Sequence, residues 1–252
     1  VEHAEDASLV DAGVMHEGRV SLRLGLAGRS PLAEDLIVAR DLLLAEATGA
    51  HLHVAHVSSR RSLEMIREAK ARGVPVTCEA TPHHLVLTDE AVGEFDTSAK
   101  VLPPLRSEEH RLALIAAVKD GTVDVIASDH APHGPLEKEV EFAQAASGMV
   151  GLETMLPLAL EVLVRSGAMD LPGLVRLLSS APARLFHLAG GTLAAGSPAD
   201  VTVFDPELAW TVDPRAFSSK GRNTPFAGRK VRGRAVDVIV GGRIVVRDGG
   251  LV

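Results

Sequence analysis

The chain has 252 residues, 46% of them hydrophobic, which is enough to bury a sizeable core and excludes a disordered protein. Its formal net charge of −7, without an extended basic patch, excludes nucleic acid as an expected partner. A single cysteine, Cys78, excludes an intramolecular disulfide framework, and the lack of a membrane-length apolar run or signal pattern predicts a cytoplasmic protein without a membrane partner.

The central part of the chain alternates short apolar runs with amphipathic stretches of helical length. Helices are predicted over residues 32–50, 59–72, 107–120, 152–165, 171–179 and 182–189. Strands are predicted for the β-rich runs HLHVAHV, VPVTCEA and VDVIAS. Ser58 or Ser59 and Ser107 are the expected N-caps, while Gly73 and Gly121 end two of the helices. This order predicts repeated βα units on a parallel sheet, with any chemistry at the carboxyl ends of the strands.

The pattern changes after about Gly190. The stretches GTLAAGSPADVTVFDP and VDVIVGGRIVVRDGG are short β runs separated by glycine-containing turns. We therefore expect a βα part over residues 1–189 and a small β-sandwich-like appendage over residues 190–252.

Histidine and aspartate residues follow the predicted strands. His3 lies after the opening fragment, His56 after HLHVA, and Asp129 after VDVIAS. A carboxylate at a buried strand end needs a charge partner. Neutral imidazoles with a carboxylate form a ligand set suited to zinc or a similar divalent ion. Such an ion would lower the pKa of a bound water to near neutrality.

The other histidines have simpler interpretations, because a histidine in an apolar strand is usually a structural residue. His51 and His53 alternate with apolar residues, share one face of their strand and are interpreted as structural. His83 follows another strand and either lines the site or has a packing or capping role. His110 and His187 lie in helical patterns and are interpreted as surface or packing residues.

Eight motifs occur in an order that resembles a known family. They are HAED at 3–6, HVAHVSS at 53–59, CEATPHHL at 78–85, KVLPPLR at 100–106, SDHAPH at 128–133, GLET at 151–154, GTLAAGSPADVTVFDP at 191–206 and NTPFAG at 223–228. Together they resemble dihydroorotases of the class I type, in the amidohydrolase superfamily. The resemblance implies an α/β fold, a partial (β/α)8 TIM-like barrel with a small C-terminal β appendage, in which residues 1–189 form the C-terminal part of the barrel.

The resemblance also implies a metal centre. His3 and His56 would bind the second metal of a binuclear zinc centre, with two Zn²⁺ per complete active site. Asp129 would bind the first metal and act as the general base and acid of the reaction. That reaction would be the zinc-dependent reversible cyclisation of N-carbamoyl-L-aspartate to L-dihydroorotate, in de novo pyrimidine biosynthesis.

Four further residues would contact the small-molecule substrate. His133 would contact its carboxylate, and the backbone at Ser147 and Gly148 would approach the pyrimidine ring. The family usually has an asparagine at the position of Leu102. Since a leucine side chain cannot form the hydrogen bond of that amide, substrate binding would weaken by about 1 to 3 kcal/mol if the ring groups stay unpaired.

The family also has residues that these 252 lack. These are a His-x-His pair followed by an arginine on the first strand, and a later aspartate that bridges both metals. The resemblance therefore implies that an N-terminal part of the domain is needed to complete the site.

Two alternative functions stay open. One is another cyclic amidohydrolase, such as a dihydropyrimidinase, hydantoinase or allantoinase, an alternative that Leu102 keeps open. The other is a non-catalytic dihydroorotase-like subunit that scaffolds aspartate transcarbamoylase, although such proteins usually lose the metal ligands that remain here. The family also allows a homo-oligomer, or association of the enzyme with aspartate transcarbamoylase.

Overall fold

The computed structural model describes residues 1–252, which form two compact units. The first unit consists of Val1–Glu153 together with Pro214–Pro225. The second consists of Thr154–Asp213 together with Phe226–Val252. The boundary between compact units therefore lies near residue 153, whereas the sequence pattern places a boundary at residue 190. The assignment of residues 1–189 to one barrel domain stays a prediction.

The first unit contains short parallel strands joined by helices. A two-stranded sheet pairs β1 with β2, and a three-stranded sheet has the order β3-β4-β5. The strands are β1 Met15–His16, β2 Gly28–Arg29, β3 Leu52–Val54, β4 Val76–Ala80 and β5 Val125–Ile126. In β4, Val76, Cys78 and Ala80 are buried, while Thr77 and Glu79 on the other face are only partly buried. The strand thus has an apolar face and a polar face, as the period of two requires.

Helices connect these strands, as the βα pattern predicts. They are α1 Ala7–Val10, α2 Arg19–Leu24, α3 Leu32–Thr48, α4 Arg60–Ala71, α5 Pro82–Val86, α6 Glu108–Lys119 and α7 Pro135–Lys138, with 3-10 turns at Asp89–Val92 and Thr97–Ala99. Gly73 and Gly121 follow α4 and α6 with φ of 83° and 84°, a conformation that glycine adopts without a steric penalty. Ile66 of α4 and Leu114 of α6 are buried in the core.

The second unit combines helical segments with an antiparallel sheet. The helical segments are α8 Leu152–Ala159, which begins two residues before the unit, a π-helix at Leu160–Arg165, α9 Leu171–Val175, a π-helix at Arg176–Ser180 and α10 Ala181–Leu185. The single helices predicted over 152–165 and 171–179 are therefore each divided into an α part and a π part. Pro157 lies inside α8, where it removes one backbone donor from the helix.

The sheet of the second unit has the strand order β6-β7-β8-β9. Its strands are β6 Val201–Thr211, β7 Lys230–Val240, β8 Arg243–Arg247 and β9 Gly250–Leu251. Gly241 and Gly242 join β7 to β8, with φ of 56° and 77°, as a two-residue hairpin turn requires. These strands lie within residues 190–252, where the glycine-separated runs predict β structure, and they form one antiparallel sheet. A separate β-sandwich-like appendage over residues 190–252 stays a prediction.

Close contacts explain why the helices after residue 153 group with the sheet. A Cβ placed on Gly233 of β7 would lie 2.2 Å from Leu160 Cδ1, so the strand and the π-helix touch at a glycine. Arg229 donates a hydrogen bond to Glu161 at 2.7 Å. Arg165 donates to the carbonyl of Pro206 and to Glu207. No helix of residues 1–252 is both long and apolar enough to span a bilayer.

Candidate active site

His3 and His56 meet at the carboxyl end of β3. Glu2 pairs with this strand, because its N–H donates to His53 O and its carbonyl accepts from Ala55 N, each at 2.9 Å. The next residue, His3, is thereby placed beside the turn that follows the strand. His3 Nδ1 lies 3.0 Å from His56 Nε2, and the ring centroids are 4.7 Å apart at an angle of 76°. The fold therefore brings together two of the three predicted metal ligands.

Two predicted site residues have an uncommon backbone conformation. His56 has a φ of 33° and Asp129 a φ of 45°, in the left-handed region that residues other than glycine seldom adopt. The Glu79 carboxylate accepts from His56 N at 3.3 Å, and the Glu79 carbonyl accepts from Val57 N at 2.9 Å. Strained residues persist only where their surroundings hold them, and such residues concentrate at functional sites.

Asp129 is half-buried near three imidazoles. Its Oδ2 lies 3.9 Å from His83 Nε2. Burial raises the pKa of Asp129, whereas His56 and, more weakly, His3 lower it. The carboxylate is therefore within electrostatic reach of both predicted histidine ligands. No group of three or more His, Cys, Asp or Glu side chains within residues 1–252 has metal-binding geometry, so convergence on one ion stays a prediction.

The donor atoms at this site are nevertheless suited to a metal ion. Partial burial, followed by the neighbouring His56, lowers the pKa of His3, and burial sets the pKa of His83 well below its ordinary value. Both rings are thus neutral at neutral pH, the form that binds zinc. His56 Nδ1 and His83 Nε2 are also buried without a hydrogen-bond partner. A buried polar atom left unpaired costs about 1–3 kcal/mol, so a bound ligand would remove a penalty there.

His83 is a residue whose role the sequence left open. Its neighbour His84 is held on both sides, by Thr81 Oγ1 at 2.7 Å and by the Pro103 carbonyl at 3.0 Å. Thr81 is the N-cap of α5, and its side chain accepts from the backbone N–H of His84. His84 is therefore a structural residue, whereas its neighbour His83 faces Asp129. The cap at Thr81 is a sequence signal that could have separated the two roles.

Four histidines that the sequence assigns to structural, packing or surface positions have contacts or exposure that agree with that interpretation. His51 Nε2 and His53 Nδ1 both bond Thr77 Oγ1, at 3.0 and 2.9 Å, which confirms that they share a face. His53 Nε2 contacts Glu79 at 3.2 Å. His110 Nδ1 accepts from Arg60 N at 2.9 Å, so it satisfies a backbone donor at the start of α4. His187 is exposed.

A buried ion pair supports the turn that carries His56. The Glu34 carboxylate accepts from Ser58 N at 3.1 Å and from Ser59 N at 2.9 Å. Arg106, the last residue of KVLPPLR, donates to Glu34 at 3.4 Å and to Ser58 Oγ at 3.0 Å. Burial acts to raise the pKa of Glu34, but Arg106 and the serine hydrogen bonds outweigh it, so the pKa is lowered.

The structure corrects the expected capping of α4. Ser59 occupies the N-cap position, but its side chain makes no capping hydrogen bond. The Glu34 carboxylate accepts from the backbone N–H of Ser59 instead. Sequence spacing alone could not show that Glu34 replaces a serine side chain as the capping group, because Glu34 belongs to a different helix, α3.

The predicted substrate-binding residues form a second group. His133 Nε2 lies 3.0 Å from the Ser147 carbonyl, and Nδ1 lies 3.2 Å from Glu137. Gly148 has a φ of 137°, and a Cβ on it would lie 2.5 Å from Ala131 Cβ, so this position requires glycine. The fold therefore brings His133, Ser147 and Gly148 together.

Leu102 lies beside the same group. It lines a cavity of about 420 Å³ together with Lys100 and Ser147. The Lys100 ammonium donates to the carbonyls of Phe142 and Ala143, at 2.8 and 3.0 Å. Leu102 and Ser147, two of the predicted substrate-binding residues, thus line the same cavity. Contact of these residues with a substrate stays a prediction.

Comparison with known proteins places this geometry in a family. Residues 14–245 match the amidohydrolase family. A dihydroorotase from Syntrophotalea carbinolica is 53% identical over 247 residues, which are 98% of this chain and 58% of the relative. A dihydroorotase from Anaeromyxobacter dehalogenans strain 2CP-1 is 55% identical over 245 residues, which are 96% of this chain and 56% of the relative. The chain thus spans somewhat more than half the length of these curated relatives.

The chain is also similar in structure to solved cyclic amidohydrolases. The L-hydantoinase of Arthrobacter aurescens superposes with a TM-score of 0.88 at 31% identity, covering 99% of this chain and 57% of that protein. The dihydropyrimidinase of Brevibacillus agri NCHU1002 has the same TM-score, 0.88, at 28% identity and with the same coverage, 99% and 57%.

Proposed function

This chain belongs to the amidohydrolase family, and on that premise we propose that the protein containing it is a zinc-dependent dihydroorotase. It would interconvert N-carbamoyl-L-aspartate and L-dihydroorotate in the cytoplasm, as a step of pyrimidine biosynthesis. One observation carries the proposal: the chain is 53% identical to a dihydroorotase over 98% of its length, and two of its candidate ligands, His3 and His56, lie 3.0 Å apart.

The proposed metal ligands in this chain are His3, His56 and Asp129. The two histidines would bind one zinc ion, and Asp129 the other. The unpaired buried nitrogen of His56 supports this assignment. The further ligands of a binuclear centre would come from a segment outside these 252 residues. When bound, zinc polarises a carbonyl oxygen and lowers the pKa of water to near neutrality.

Asp129 would move the proton in this reaction. During ring opening its carboxylate takes a proton from the attacking water, and it delivers that proton to the ring nitrogen as the carbon–nitrogen bond breaks. During cyclisation the same carboxylate takes the proton from the attacking nitrogen and delivers it to the carboxylate oxygen that leaves as water when the carbon–nitrogen bond forms. Its half-buried position restricts exchange of that proton with solvent. No covalent intermediate with the protein is needed.

The second group of residues would bind and orient the substrate. His133 would donate a hydrogen bond to the substrate carboxylate, and the backbone at Ser147 and Gly148 would pair with polar groups of the ring. Leu102 contributes an apolar wall to the cavity that it shares with Ser147. Binding geometry of this kind converts a bimolecular reaction into an effectively unimolecular one.

Leu102 is also the specific observation that favours a second candidate function. A hydantoinase or dihydropyrimidinase would use the same metal chemistry on a different ring, and solved structures of such enzymes superpose with TM-scores of 0.88. Dihydroorotase remains our first proposal because its relatives are 53–55% identical, against 28–31% for these structures. Association with aspartate transcarbamoylase, or of the chain with itself, is part of the same proposal.

The test is a comparison of substrates with the natural full-length protein. We expect turnover of L-dihydroorotate to exceed turnover of hydantoin and dihydrouracil, and we expect Asp129→Asn nearly to abolish it. Preferential turnover of hydantoin would support the second candidate. A protein that hydrolyses none of the three, although it is folded and loaded with zinc, would support the scaffold function.

A further inference from the structure

The segment between β6 and β7 carries a buried asparagine. Residues Pro214–Pro225 leave the sheet of the second unit and belong to the first compact unit. Asn223, near the end of this segment, is only 6% exposed. Its side chain lies between the loop at 131–133 and the stretch at 147–150, the two places that supply the proposed substrate-binding groups.

All three hydrogen bonds of this amide go to backbone atoms of those two stretches. Asn223 Oδ1 accepts from His133 N at 2.9 Å, while Nδ2 donates to Ala131 O and to Gly148 O, each at 3.0 Å. The Asn223 carbonyl also accepts from Val150 N at 2.9 Å. One donor and two acceptors face the amide, so its orientation is fixed by its partners.

We propose that Asn223 is a positioning residue that holds the His133 loop and the Ser147–Gly148 backbone at the spacing that substrate binding requires. This inference rests on the proposed function, because it assigns the amide to the substrate side of that site. It also predicts which kinetic constant the residue controls. Asn223 touches neither Asp129 nor the histidines near it in these contacts, so its loss should weaken binding more than it slows the chemical step.

The two stretches have contacts that do not depend on Asn223. Ala131 N donates to Met149 O at 2.9 Å, and Gly148 N donates to Lys100 O at 2.8 Å. Loss of the amide should therefore loosen the spacing of the two stretches without unfolding them.

Asn223→Asp is the most specific test of these hydrogen bonds, because it keeps the shape of the side chain and removes only its donor group. The carboxylate can still accept from His133 N, but it places an oxygen against the carbonyls of Ala131 and Gly148, which lose their donor. We expect KM for L-dihydroorotate to rise about tenfold or more, with kcat changed less than threefold. Ser218→Ala is the matched control, since this exposed residue lies in the same segment, and it should leave both constants unchanged.

Hydrogen–deuterium exchange of the full-length protein without substrate supplies a readout that does not depend on activity. We expect Asn223→Asp to speed exchange in peptides covering residues 130–134 and 147–150, while the β4 peptide keeps its protection. If Asn223→Asp does not fold, Asn223→Ala, which has no carboxylate to repel the two carbonyls, takes its place with the same readouts.

The outcomes separate this inference from the proposed function. Faster exchange in both stretches together with a raised KM supports it. Unchanged exchange in these stretches overturns it, and so does an equal fall of kcat and kcat/KM. A wild-type protein that is inactive on L-dihydroorotate contradicts the proposed function alone, and the exchange data then decide whether Asn223 holds the two stretches together.

Discussion

The two halves of the candidate site differ in how their polar atoms are paired. The strand-end cluster, which we define as His3, His56, His83 and Asp129, contains two buried ring nitrogens without a partner. In the loop cluster, which we define as His133, Ser147, Gly148 and Asn223, the imidazole and the amide are bonded to backbone or carboxylate atoms. Because a buried polar atom without a partner is costly, the unpaired ring nitrogens indicate a bound ligand, whereas the fully paired Asn223 amide indicates a positioning role.

The largest effect is expected at the carboxylate of the strand-end cluster. Asp129→Asn keeps the side-chain volume but removes the group that accepts the proton, so turnover of L-dihydroorotate should fall by about 10²–10⁴-fold. Steady-state kinetics of the full-length protein measure this, with urea unfolding as a check on the fold. His51→Ala is the control, because this exposed residue bonds Thr77 rather than the cluster, and its rate should stay near normal. Near-normal turnover of Asp129→Asn would remove the proposed acid and base.

The ion pair beneath the strand-end cluster should matter mainly for stability. Glu34→Gln leaves Arg106 buried without its charge partner, which should lower the free energy of unfolding by about 3–5 kcal/mol. Urea unfolding measures the change. Glu64→Gln breaks surface pairs with Arg60 and Arg61 and should change stability by about 1 kcal/mol or less. Equal losses in the two variants would show that the buried pair does not hold the turn after His56.

A comparison of His53 with His56 tests whether hydrogen bonding distinguishes a structural histidine from a ligand-binding one. His53→Ala removes one hydrogen bond from Thr77 and one from Glu79, and it should lower the free energy of unfolding by about 1–3 kcal/mol. His56→Ala removes a ring whose Nδ1 is unpaired, so in metal-free protein it should destabilise less than His53→Ala. Unfolding of both variants in the presence of a chelator measures the difference. A larger loss for His56→Ala would contradict the distinction.

Acid should destabilise the fold through the buried neutral histidines. Burial, followed by Arg106 and His110, lowers the pKa of His16 to about 3, and burial lowers that of His84 to about 4. Below the ordinary histidine pKa of about 6.5, the unfolded chain binds protons that the folded chain does not. Stability present above pH 6.5 should therefore be lost as the pH falls towards 4, by up to about 1.4 kcal/mol per pH unit for each histidine.

Histidine variants test which residues cause this dependence of the unfolding free energy on pH. Unfolding measured between pH 6.5 and 5 should be less pH-dependent in His84→Gln than in the wild type. The exposed His187→Gln should show the wild-type slope. Identical slopes in all three proteins would show that His84 is not the source of the acid sensitivity.

Local signals predicted much of the βα part. Gly73 and Gly121 end helices as expected, because a left-handed glycine after a helix is a purely local feature. Strand ends also predicted that His3 and His56 would lie close together. The π-helices and the compact-unit boundary near residue 153 were not predicted, since both depend on packing between segments distant in sequence, such as Leu160 against Gly233.

The finer features of the site also depend on such contacts. NTPFAG was visible as a motif, yet only the fold shows that Asn223 meets residues 75 and 90 positions away. His83 and His84 are adjacent in sequence, but tertiary contacts give one of them partners and leave Nε2 of the other unpaired.

Zinc content tests most directly whether the strand-end cluster holds metal. We would purify the natural full-length protein and its His3→Ala/His56→Ala variant without added metal, confirm that both are folded, and measure zinc by atomic emission. We predict zinc in the wild type and at least one ion fewer per chain in the variant. Equal zinc in the two proteins, or none in an active wild type, would contradict it.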